Sequence, residues 1–156
     1  RWLYTIKKGV MIMESIFEVA KYFLSLGRMN HRKLQKLCYY AQAWSLALTG
    51  TRLMNARFEA WAHGPVSPEL WHRYKDWGGL AISSYEGIPS FNSDQTVSFL
   101  KKIYQLYGDY SGDQLEQLTH NEMPWINARG DYPPGAICTN VIDEDDMTYF
   151  YRKLLH

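Results

Sequence analysis

The chain has 156 residues, 46% of them hydrophobic and 21% charged, which is the size of one domain and too apolar for a mainly disordered state. A formal net charge of +1 argues against a dedicated nucleic-acid binder, and no apolar run reaches the length of a membrane span. Cys38 and Cys138 belong to no CxxC pair, and the opening residues lack the apolar core and cleavage site of a signal peptide, so a cytoplasmic protein with reduced thiols is expected.

Arg1 to Val10 carry no helical apolar repeat. Residues 1–12 are read as an extension outside the core, with the natural start at Met11 or Met13. An ordered arm packing Trp2, Leu3 and Tyr4 on the domain is an equal alternative. Residues 13–156 then form the single folded domain. Ile16, Val19, Ala20, Phe23 and Leu24 recur at helical spacing, and Gly27 is placed to stop that helix in a left-handed conformation. Asn30 is an N-cap for the strongest helix of the chain, which Gly50 ends. Leu34, Leu37, Cys38, Ala41, Ser45 and Leu48 line one face of it, and Tyr40, Trp44 and Ala47 an adjacent one. So wide an apolar surface marks a central helix. The basic group His31, Arg32, Lys33 and Lys36 at its start reads first as a solvated face and second as an anion patch.

Phe58 to Ala62 alternates large and small residues as a short strand does, and Gly64-Pro65 breaks the pattern. Ser67-Pro68-Glu69 then has a hydroxyl cap, a proline at the first helical position and an acid in the first turn. Leu70, Trp71, Tyr74 and Trp77 carry that helix to Gly78-Gly79. Leu80 to Ser93 is a long loop, with room for a small hairpin, and long loops in compact domains are often functional. Val97, Leu100, Ile103, Tyr104 and Tyr107 mark the next helix, closed by Gly108. Ser111 and Gln114 form a capping box for a short helix with Leu115 and Leu118. Asn121 is read as the cap of a last short turn holding Pro124 and Trp125. Tyr132-Pro133-Pro134-Gly135 is a rigid connector. A final helix starts at Asp143, with acids first and Arg152 and Lys153 last, the order that suits the helix dipole. The expected fold is mainly α, a compact single-domain helical structure with at most a small β-hairpin between Phe58–Ala62 and the loop after Gly79.

Tests for chemistry return little. No two of His31, His63, His72, His120 and His156 have the spacing of a helical zinc pair, and neither cysteine has a local partner. Cys38 lies on the apolar face of the main helix, where a thiol is inert. No serine sits in a nucleophile elbow, and no phosphate loop is present. No metal or cofactor is expected. Glu59 and Glu69, with His63 between them, are the one acid–base set an enzyme would use; the simpler reading is that Glu69 supports its helix and Glu59 pairs with a base. Gln35, Lys36, Tyr39, Gln42 and Trp44 crowd onto a helix with a wide apolar face, so some of these groups are buried and need partners. The nearest are in the segment Glu59 to Pro68, which this row is expected to clamp. On that reading Trp61→Ala costs about 3 kcal/mol or more.

Three stretches resemble a known family. Lys33 to Trp44, with Gln35, Lys36, Tyr39, Tyr40, Gln42 and Trp44, resembles the opening motif of the Panacea domain. Phe58 to Leu70, with Glu59, Trp61, Gly64, Pro65, Pro68 and Glu69, is similar to its second motif. Leu118 to Trp125, with His120, Pro124 and Trp125, is similar to its third. The resemblance runs from about Ser15 to the C-terminus, and it rests on three ordered motifs at compatible spacing. It departs from the pattern at Cys38, where an aliphatic residue is expected. The family includes SocA-like antitoxins and prophage-encoded proteins, so the resemblance implies an antitoxin that neutralises a cognate toxin protein by direct binding. One branch is associated with handing its toxin to a cytosolic protease. The added N-terminal segment that these antitoxins often carry does not fit into ten residues, so DNA-binding autoregulation is not expected. The rival readings are a mobile-element accessory protein that binds a host protein and an enzyme of unrecognised type. For the toxin, the expected surface is the loop with Tyr85, Ile88 and Phe91 and the aromatic face of Trp71, Tyr74 and Trp77, rigid anchors in an adaptable setting.

Overall fold

The computed structural model describes residues 13–82 and 87–155. The extension 1–12 and Tyr85 lie outside the described residues. Seven α-helices and one two-stranded sheet make up the described fold, which is mainly α.

Helix α1 (Ile16–Leu26) starts on the hydroxyl of Ser15, which accepts from the Phe17 backbone N–H at 3.2 Å. It turns its apolar stripe, Val19, Ala20 and Phe23, fully inward. Helix α2 (His31–Thr49) starts on the Asn30 side chain and ends on Gly50 at φ 75°. Fifteen of its 19 residues are buried, and it packs against α1 and every long helix that follows. A helix buried all round cannot be amphipathic in the ordinary sense, which is why its polar residues carry the interest.

Strands β1 (Glu59–Trp61) and β2 (Gly64–Val66) pair antiparallel in the register Glu59 with Val66, Ala60 with Pro65 and Trp61 with Gly64. This corrects two expectations. Gly64-Pro65 is a strand and not a break, and the partner of the first strand is its immediate successor and not the loop after Gly79. Proline is tolerated because a two-stranded ribbon asks each strand for hydrogen bonds on one side only. The other edge of β1 is closed by residues 140–142, where Ala60 donates to the Asn140 carbonyl and Ile142 to that of Phe58, both at 2.8 Å.

Helix α3 (Pro68–Tyr74) and a single 3₁₀ turn (Lys75–Trp77) follow, then α4 (Gln95–Tyr107), α5 (Gly112–His120), α6 (Met123–Arg129) and α7 (Glu144–Lys153). The capping box at Ser111 and Gln114 and the charge order of α7 are as the sequence requires. Two caps differ. Gly27 is extended (φ −179°, ψ 153°); a Cβ there would stand 2.7 Å from the Tyr104 hydroxyl, so the glycine serves close approach to α4 and not a left-handed turn. Asn121 closes α5, donating from its amide to the Gln117 carbonyl, and Glu122 takes the cap position of α6. No hairpin forms among the described residues of the Leu80–Ser93 loop. Its far end is held by buried Glu14, whose carboxylate accepts from Asn92 and Ser93 backbone N–H groups and from the Thr96 hydroxyl at 2.6 Å.

Candidate functional site

The polar row of α2 divides among three tasks. Gln42 holds the chain after α2: its amide donates to the carbonyls of Met54 and Ala56 and accepts from the N–H groups of Leu53 and Met54, all within 3.2 Å. Trp44 donates to the Tyr107 hydroxyl at 2.8 Å, and Tyr107 stacks on Tyr40 at 4.0 Å. Tyr40 and Tyr151 both donate to one carboxylate oxygen of buried Glu122, at 2.8 and 2.7 Å. Tyr151 has one hydroxyl proton, so its bond to Glu122 and its bond to the Tyr39 hydroxyl at 3.2 Å are alternatives. Burial raises the Glu122 carboxyl above its ordinary value, and the hydrogen bonds from Tyr151 and Tyr40 oppose that rise. Burial also raises all three tyrosines, so their hydroxyls stay protonated and able to donate.

The third task faces the β-hairpin. The Gln35 amide bonds Ser67 in both directions, donating to its carbonyl at 3.0 Å and accepting its N–H at 2.8 Å. Gly64, at φ +108°, lies directly on the stem of Lys36; a Cβ there would come within 2.5 Å of Lys36 Cε and 3.1 Å of the Thr119 hydroxyl. A side chain at 64 is therefore excluded by both conformation and contact. The expected clamp thus involves Gln35 and Lys36, while Gln42, Tyr39, Tyr40 and Trp44 act elsewhere.

Lys36 is 1% exposed, which corrects its reading as part of a solvated basic face. His31 and Lys33 are half-buried too, and the Lys33 ammonium donates to the Gly108 carbonyl at 2.6 Å. Only Arg32 reaches outward, to Asp113 at 3.2 Å and Glu116 at 4.0 Å. Among the described residues Lys36 Nζ has no hydrogen-bond or ion-pair partner; Glu116 acts on it only at longer range. Burial pushes its pKa down to about 7, against the pull of Glu116. Three more buried polar atoms in the same neighbourhood lack a hydrogen-bond partner: His31 Nδ1, Glu116 Oε1 and His120 Nε2. Burial is also the main reason that His31 and His120 titrate below the ordinary histidine value.

Lys36 opens on a cleft of about 410 Å³ between the start of α2, the hairpin, Trp71 and Gly78-Gly79. Trp61 and Trp71 meet edge to face at 5.5 Å and form its apolar wall. Across Trp61, His63 and Val66 lies a second groove of about 400 Å³, floored by Cys138 and bordered by Ile137. Behind the hairpin His120 stacks on Trp125 at 4.0 Å, and Trp125 donates to the Trp61 carbonyl at 2.9 Å. Pro124 is buried in the first turn of α6, and Pro68 occupies the first turn of α3. Pro65 is buried within β2.

The acid–base set does not assemble. Glu59 is buried and accepts from Trp61 Nε1 and Arg57, His63 pairs with Glu116 at 3.2 Å, and Glu69 is exposed on α3. Among the described residues no three of histidine, cysteine, aspartate and glutamate are grouped to hold a metal ion. Of the expected binding surface, Tyr74 is 2% exposed and belongs to the core, which corrects its assignment: α3 has only two turns, and position 74 falls on the same inward face as Leu70. Trp77 and Phe91 are half-buried against the core, Phe91 edge-on to Tyr22 at 6.3 Å. Ile88 is 83% exposed. His31 and Arg32 join Asp113 and Glu116 only where α5 crosses the start of α2, so the basic group is visible in the sequence but not which of its members turns inward.

In a mainly helical domain, three sequence motifs thus converge on one hairpin with a buried lysine beneath it. The chain belongs to the SocA-like antitoxin, Panacea domain family, whose model matches residues 34–126. The match takes in all but the first residue of the three motifs. No curated protein and no solved structure matches the chain. No helix among the described residues is long and apolar enough to cross a membrane.

Proposed function

We propose that this protein is an antitoxin that silences a cognate toxin by direct, stoichiometric binding, without turnover. Membership in an antitoxin family supports this, and one observation carries it: the motif residues hold an exposed feature in a fixed pose. The Ala62-His63 turn and the Trp61–Trp71 pair stand at the surface while Gln35, Lys36, His120 and Trp125 brace them from below. A half-exposed tryptophan pair on a rigid support is the composition of an interface anchor. The toxin surface then comprises Trp61 and Trp71 with the hairpin turn, flanked by Trp77 and by Ile88 in the following loop. A stable interface needs about 800 Å² from each partner. A host protein in place of a toxin would use the same surface.

Co-expression with the gene next door, scored for rescue of growth, tests the reading. In a purified system, toxin activity should fall linearly to zero at one molar equivalent. Complete and lasting silencing by a small fraction of an equivalent would point to an enzyme instead.

A further inference from the structure

The cleft over Lys36 asks for a ligand of definite chemistry. Among the described residues the Lys36 ammonium that lines it has no hydrogen-bond or ion-pair partner, and it lies against Gly64 and the start of α2. With Lys36 protonated, the site's two positive and two negative side chains sum to zero. Arg32 adds a positive charge at the entrance, while Asp113 and Glu116 on α5 offset it. His31, which lines the cleft, is driven below the ordinary histidine value chiefly by burial. A single carboxylate gives the buried Lys36 ammonium the acceptor it lacks, while a second negative charge would face Asp113 and Glu116 unpaired. On the far side of Trp61 the adjoining groove is bounded by Val66, Cys138 and Ile137, the last of these 89% exposed. A free carboxylate would leave that groove empty. A chain segment fills both compartments by placing one side chain on each side of Trp61.

We propose that the cleft receives one acidic side chain of the partner protein at Lys36, with a large apolar side chain from the same segment seated in the Ile137 groove. This names the chemistry of the contact that the direct-binding reading requires, and it rests on that reading for the identity of the partner only. The lysine is then a recognition device kept partner-free until the complex forms. Burial leaves it partly neutral near pH 7, and an arriving carboxylate draws a proton onto it. A charged hydrogen bond of this kind is selective because an uncharged isostere offers the buried ammonium an acceptor without the compensating charge.

The test uses the full chain and two blocked peptides, acetyl-Leu-Asp-Leu-amide and its Asn counterpart, with sodium acetate and sodium phosphate as competitors. Heteronuclear NMR follows the Trp61 and Trp71 indole signals and the Lys36 ammonium. The Asp peptide should bind about tenfold or more tightly than the Asn peptide, move both indoles and raise the Lys36 titration midpoint. Lys36→Met should abolish the preference, and Ile137→Asp should weaken the Asp peptide while leaving the fold intact. Should Lys36→Met fail to fold, the ammonium titration of the unmodified protein with each peptide decides the matter. Equal affinity for the two peptides, a preference that survives Lys36→Met, or displacement by acetate or phosphate as effective as by peptide would overturn the proposal. A toxin complex that leaves Trp61 and Lys36 unperturbed sinks this site and spares the antitoxin reading. Peptide selectivity in a protein that rescues no toxin does the reverse.

Discussion

Lys36 and Tyr40 stand one turn apart on α2, and their surroundings are opposite in kind. Tyr40 donates to Glu122, stacks on Tyr107 and belongs to a set in which one carboxylate oxygen takes the protons of two buried hydroxyls. Lys36, four residues earlier and more costly to bury, has no hydrogen-bond or ion-pair partner among the described residues, and His31 Nδ1, Glu116 Oε1 and His120 Nε2 around it have no hydrogen-bond partner. Satisfied polar clusters in a core specify one packing arrangement, whereas unsatisfied ones destabilise the fold and persist where something else requires them. The contrast separates scaffold from site inside a single helix, where burial alone would place both residues in the core.

The largest effect should come from breaking the closed cluster. Glu122→Ala strips the acceptor from two buried hydroxyls and should cost about 3 kcal/mol, at about 1–3 kcal/mol for each stranded group. Urea unfolding measures it, and a midpoint equal to that of the parent would mean that water replaces the carboxylate. Breaking the open cluster should do the opposite. Lys36→Met keeps the stem under Gly64, removes the charge and should stabilise the free protein by about 1–4 kcal/mol. Because the folded value of Lys36 is depressed to about 7, protonation opposes folding; the cost is full below pH 7 and fades as pH rises toward the ordinary lysine value of 10.5. The gain in Tm from Lys36→Met should therefore be larger at pH 6 than at pH 10. A gain that does not vary with pH would assign the effect to packing.

Trp61→Ala separates the two regions further. The ring is half-buried and its Nε1 donates to Glu59, so the loss should be about 2 kcal/mol, smaller than the sequence alone led us to expect, with toxin affinity falling by more than stability does. Calorimetry of the variant and titration with the toxin give both numbers, and a stability loss that accounts for the whole affinity loss would return Trp61 to the scaffold. The smallest effect belongs to Ile88→Ala. At 83% exposure it should change unfolding free energy by less than about 0.5 kcal/mol, and a weaker toxin complex from the same variant would extend the interface to that loop. Phe91→Ala, seated on Tyr22, should lose stability first and affinity only as a consequence.

Local chemistry was legible in the residues themselves. The caps at Asn30, Ser67, Ser111 and Asp143, the 3.6-residue stripes of α1, α4 and α7, and the dominance of α2 all depend on neighbours within a turn or two, and these the chain states directly. The motif residues were legible too, as residue types that a buried helix cannot leave unpaired. What the chain could not state is which distant group each one meets. That Tyr40 finds Glu122, that Trp44 finds Tyr107, and that Lys36 finds nothing depends on where α5, α6 and α7 cross α2. Gly64-Pro65 reads locally as a break, and it became a strand because Glu59–Trp61 was there to pair with it. Tyr74 reads as an anchor and became core because the rest of the domain closed over it. Hydrogen bonds and ion pairs are decided over a few ångströms, and between residues far apart in sequence only the packed fold determines those distances.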